Sequence, residues 1–142
     1  MTQEQPQRPA AVGSALKLIY ATLVLGFVRD FWEVARLSES IPLGRLIFVQ
    51  AFVFAFILFF TWKIGKGRNW ARLTFAIMFL AGLPLAVTPL WQSLMAAPVS
   101  GILGLVQVLM QLAAVVFLYQ KASSEWFRQM KVMKRTVLPV QT

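Results

Sequence analysis

The sequence contains no cysteine and no histidine. Disulfides, thiolate nucleophiles, the commonest proton shuttle and the commonest metal ligand are therefore excluded together. Acidic residues are scarce as well: there are 5 Asp and Glu against 14 Lys and Arg, and charged residues make up only 13% of the 142 residues, about half the share found in a soluble domain. No carboxylate pair, no nucleophile beside a base and no metal-ligand cluster stands out, so neither enzymatic activity nor a cofactor is expected. What the chain has in abundance is apolar. Hydrophobic residues make up 58% and aromatic residues 13%, more than a soluble globule of this length has polar surface to cover.

A hydrocarbon core about 30 Å thick is crossed by about 20 mostly apolar helical residues, because each backbone amide must be satisfied within its own segment. Four stretches meet this requirement, at about 12–28, 46–62, 73–90 and 102–120. The second is rich in phenylalanine (Phe48, Phe52, Phe54, Phe56, Phe59, Phe60). The third and fourth share a run of 48 uncharged residues between Arg72 and Lys121, with a turn marked by Pro89, Gln92, Ser93, Pro98, Ser100 and Gly101. None of the stretches alternates with period two, which excludes a barrel. The first reads as an uncleaved anchor: Arg29, Asp30, Phe31 and Trp32 stand where a signal peptide would carry small residues. The expected architecture is an all-α membrane protein. A four-helix transmembrane domain (11–122) follows a flexible Gln- and Pro-rich tail (1–10) and precedes a basic amphipathic tail (123–142).

The charges sort by side. With four spans, the N-terminal tail, the middle loop and the C-terminal tail fall together, carrying net +1, +4 and +4, which is all of the +9. On the opposite side Arg29, Arg36 and Arg45 offset Asp30, Glu33 and Glu39, and the last loop is uncharged. Retention of basic residues on the cytoplasmic face predicts that both termini are cytoplasmic. Trp32, Trp62, Trp70, Trp91, Tyr119 and Trp126 fall at the expected span ends, where rings with a polar edge are stable. Spread along the bilayer, Lys63, Lys66, Arg68, Arg72, Arg128, Lys131, Lys134 and Arg135 are candidates for binding anionic lipid headgroups rather than nucleic acid.

Polar residues within the spans are few. Gln107 and Gln111 lie four apart on one helix face, and Gln50 falls at a similar depth. Amides in hydrocarbon need partners, so hydrogen bonds between helices are expected, with a glutamine-lined path as the alternative. Lys17 lies near the cytoplasmic end of its span, where its stem can lift the ammonium to the interface; a place on a solute pathway is the alternative. Asp30, Glu33 and Glu39 fall outside the expected hydrocarbon, and Arg29–Glu33 and Glu33–Arg36 have surface ion-pair spacing. Ala51 and Ala55 form a small-xxx-small step. Pro84 and Pro89 predict a kink, and Gly65 and Gly67 predict a helix end. The phosphate-loop pattern is absent from WKIGKGRNWAR, which excludes nucleotide binding of that kind.

In the tail, Trp126, Met130, Met133 and Val137 recur at helical spacing with Phe127 beside them, and the basic residues lie off that stripe. This predicts a helix on the headgroup layer or against a partner, capped by Ser123 or Ser124 with Glu125 in its first turn. GKGRNWARLTF at 65–75 and SSEWFRQMK at 123–131, with a proline-bearing span between them, resemble a broad group of small four-span bacterial inner-membrane proteins. The resemblance implies topology and location but no activity, cofactor or catalytic residue. Two functions follow as expectations: an accessory subunit or self-associating scaffold acting through a membrane-protein partner or a second copy, or else a small oligomeric transporter or pore. The second is placed lower because proton-coupled exporters use a membrane-embedded carboxylate, and none is expected here.

Overall fold

The computed structural model describes the backbone of residues 6–37 and 42–137, and the side chains of those residues except 32–37 and 134–137. The described residues form five helices: α1 (Ala10–Leu37), α2 (Leu43–Gly65), α3 (Asn69–Ala96), α4 (Pro98–Tyr119) and α5 (Lys121–Val137). The first four carry stretches long and apolar enough to cross a membrane, Ala10–Phe31 in α1 and the whole of α2, α3 and α4. Each is longer than its expected span, because nothing breaks the helix where the apolar run ends.

The helices end where the local chemistry demands it. After α2 the amide of Gly67 donates to Ile64 O and that of Arg68 to Lys63 O, the paired bonds of a Schellman motif. Its closing residue has φ +70, a conformation only glycine takes without strain. The turn between α3 and α4 is far shorter than the one expected from Pro89 to Gly101. α3 continues through Pro84 and Pro89 to Ala96, Ala97 alone breaks the helix, and Pro98 opens α4 at its first turn. A proline removes its own amide and crowds the carbonyl four residues back, but its fixed φ is helical, and α3 stays helical through both prolines. Gly101 permits this tight hairpin: a Cβ there would lie 2.5 Å from Leu94 Cα.

The spans form a ring in which α1 packs mainly on α4, α4 on α3, α3 on α2 and α2 on α1. The inward stripe of α1 is Val12, Ala15, Leu16, Ile19, Thr22, Leu23 and Gly26, and α4 answers with Gly104, Ala114 and Leu118. A third of the α1 span is buried but only 6% of α2 and of α3, so the outer faces of those two have lipid as their solvent.

One end of the bundle is closed by α5. Trp126 and Phe127 are buried against Val12, Leu16, Ile64, Ala71 and Leu118, with ring centroids 4.9 Å apart. Trp126, Phe127 and Met130 of the apolar stripe expected to lie on lipid are thus packed on the chain's own helices; the Val137 side chain lies outside the described part. Ser123 and Ser124 do not cap α5. Ser123 Oγ donates to Phe117 O at 2.7 Å and Ser124 Oγ to Tyr119 O at 3.5 Å. Only Gln120 separates α4 from α5, so these hydroxyls meet the orphan carbonyls at the end of α4 first. The end of the N-terminal tail is tied to the same place. Pro6 O accepts from Trp126 Nε1 at 3.0 Å, and Arg8 donates to Gly65 O at 2.8 Å. Residues 6–9 are therefore held against the bundle, contrary to a free tail over 1–10; residues 1–5 lie outside the described part.

Candidate polar site between the spans

Three helical stripes converge on one partly open cavity. Thr22, Gly26 and Asp30 are successive four-residue steps on α1; Gln50, Phe54 and Ile57 face them from α2, and Gln107 and Gln111 from α4. The cavity has a volume of about 60 Å³, room for water where polar groups line it. Gln50 Nε2 donates to Asp30 Oδ2 in a hydrogen bond that joins α2 to α1. Thr22 directs its hydroxyl to Ile19 O at 2.8 Å within its own helix. Gly26 lets the Gln107 amide come close, since a Cβ there would lie 2.9 Å from Nε2. Gln107 Oε1 is buried with no hydrogen-bond partner among the described residues. An amide oxygen in that position draws a polar guest, because leaving it bare costs about 1–3 kcal/mol.

The three glutamines expected to work together thus share one cavity, and Asp30 joins them. Asp30 was expected outside the hydrocarbon; it stands two residues beyond the apolar run that ends at Val28, and the continuing helix turns it into the cavity. α1 runs unbroken beyond Val28, which carries the Thr22–Gly26 stripe one more turn to the carboxylate. That spacing is the sequence signal that places it there. Lys17 is exposed and does not line the cavity; its position on α1 is about 140° around the helix from Thr22.

The basic residues gather at the α5 end, in two kinds of environment. Lys66, Arg68, Arg128 and Lys131 are exposed and Lys63 is half-buried, with the Lys63 and Lys66 ammonium groups 4.5 and 3.8 Å from the Trp62 ring centroid. Arg72 is held by protein. Its Nη1 donates to Leu118 O at 3.1 Å and Ser124 Oγ at 3.2 Å, and its guanidinium lies 4.5 and 4.8 Å from the Tyr119 and Phe127 rings. It neutralises the carbonyl end of α4 while clamping α5, which leaves it poorly placed for a headgroup. The side chains of Lys134 and Arg135 lie outside the described part, as do those of Glu33, Arg36 and Glu39. No protein-family model, curated protein or solved structure matches this chain, so the site stands on its own geometry.

Proposed function

We propose that this protein is a non-enzymatic inner-membrane protein that works by lateral association, as an accessory subunit or self-associating scaffold. The observation that carries this reading is the orientation of α2. Gln50, a polar residue in its outer half, turns inward to Asp30, while Ala51 and Ala55 are exposed on the outside of the bundle. A step of two small residues admits a second helix close enough for backbone packing, the main source of helix association in lipid. Gly44, one further turn pair along the same face, has no atom within 4 Å of a built Cβ. Orientation follows from charge. The tail at 6–9, the α2–α3 turn and α5 meet at one end, and the net positive charge belongs to those segments, so that end, with both termini, is cytoplasmic.

The test uses the absence of native cysteine. Ala51→Cys in native membranes is expected to give a disulfide-linked dimer, or else extraction in mild detergent yields a stoichiometric membrane partner lost in Ala51→Phe/Ala55→Phe. A chain that neither cross-links nor retains a partner contradicts the proposal. One observation favours transport as a second reading: Asp30 places a carboxylate in the cavity beside the glutamines, the kind of group such activity uses. Ion or solute flux in proteoliposomes, abolished by Gln107→Leu and Gln111→Leu, would establish it, and absence of flux would remove it.

A further inference from the structure

At the end of the bundle opposite α5, a groove of about 610 Å³ opens between α1 and the α3–α4 turn. Its walls are mostly apolar, from Val28, Ala96, Pro98 and Leu103, and one cation, Arg29, stands among them. Arg29 Nε is buried with no hydrogen-bond acceptor, and the side chain makes no hydrogen bond or ion pair with any described residue. Asp30, its neighbour in sequence, faces about 100° away around the helix and bonds Gln50. The guanidinium lies against Gly104 of α4: a Cβ there would come within 3.1 Å of its Nη1. A cation left unpaired at the edge of hydrocarbon is costly, and no residue among the described lining of the groove supplies a counterion. The groove also receives the N-terminus of α4, which opens with Pro98 and presents the positive end of its dipole.

We propose that this groove binds an anionic phospholipid of the surrounding bilayer, with an acyl chain on the apolar wall and the phosphate on Arg29. Depth and access argue for a bilayer lipid over a soluble anion. Arg29 directly follows the apolar run that ends at Val28, at the level where phosphates of that leaflet lie. Val28 and Val99 on the groove wall are 60% and 75% exposed, so the opening faces sideways into lipid. This site does not depend on the association proposed above, and it lies apart from the basic residues of the α5 end.

The test is native mass spectrometry of the full chain in nonionic detergent, supplied in turn with phosphatidylglycerol, phosphatidylcholine, oleate and inorganic phosphate. One phosphatidylglycerol per chain is expected to be retained, at least tenfold better than phosphatidylcholine. Arg29→Gln should abolish that preference, and Leu103→Phe should weaken retention with the cation intact; Arg128→Gln/Lys131→Gln should leave it unchanged. Melting curves without lipid identify any variant that fails to fold, and Leu103→Phe keeps the test open if Arg29→Gln does so. Equal retention of the two phospholipids overturns the proposal. So does a preference lost only in Arg128→Gln/Lys131→Gln, or binding of oleate or phosphate without phosphatidylglycerol.

Discussion

Removing the Trp126 side chain tests whether α5 is docked on the bundle or floating on the headgroup layer. Trp126 is 5% exposed, packs against Phe127, and donates its indole N–H to Pro6 O. Truncation of such a residue costs about 3–5 kcal/mol. Because α5 can leave without unfolding the spans, that cost falls on the docking equilibrium, and 3 kcal/mol is about a hundredfold in the undocked population. Limited trypsin digestion in micelles reads this population directly, since cleavage in the fast-reclosing regime follows the open fraction. Cuts after Arg128 and Lys131 should therefore accelerate about a hundredfold in Trp126→Ala and remain at the parent rate in the exposed Gln129→Ala. If the two variants are cleaved alike, or if the parent's rate follows the anionic lipid content and ignores Trp126, the docked helix is wrong.

Three further outcomes follow from close contacts. Gly101→Ala puts a methyl group 2.5 Å from the Leu94 Cα, a backbone atom that cannot rotate aside, and overpacking of this kind costs about 1–3 kcal/mol; a lower melting temperature in detergent is expected, and an unchanged one would show that the α3–α4 hairpin is looser. Gly67→Ala meets both the left-handed φ and Met130 Cγ at 2.9 Å, so Met130→Ala should rescue the contact but leave a residual loss of about 1–2 kcal/mol from the backbone. Full rescue would refute the Schellman end. Gln50→Leu withdraws the amide from Asp30 and should destabilise by about 1–3 kcal/mol, whereas Asp30→Asn, which still pairs with an amide, should lose less; the reverse order in thermal melts would argue against the α1–α2 bond.

The spans are legible in sequence because lipid imposes one simple demand, a long apolar helix, and charge interrupts such runs visibly. Gln50, Gln107 and Gln111 are legible for the same reason, as the few side chains in those runs that need partners. Asp30 is hidden by the same reasoning. It follows the last apolar residues of α1, and hydropathy ends the span at Val28, whereas the helix itself has no breaker until beyond Leu37. The position of α5 is also beyond the pattern, since a stripe of Trp126, Met130 and Met133 serves lipid or protein equally well. What decides it is long-range: Arg72, 46 residues from Leu118 and 52 from Ser124, gathers the end of α4 and the start of α5 into one knot. Arg72 and Arg68 look alike as loop cations, and only packing separates a clamp from a headgroup contact.

The arrangement as a whole rests on four crossings that bring the tail at 6–9, the α2–α3 turn and α5 to one face and the α3–α4 turn to the other. Because the chain has no cysteine, single thiols at Gln7, Arg68, Lys131 and Ala97 can be labelled with a membrane-impermeant maleimide in oriented vesicles. The first three should react from the same side and Ala97→Cys only from the opposite side. Labelling of Ala97→Cys together with Arg68→Cys, or of Gln7→Cys apart from Lys131→Cys, would contradict the fold and with it every interior contact described above.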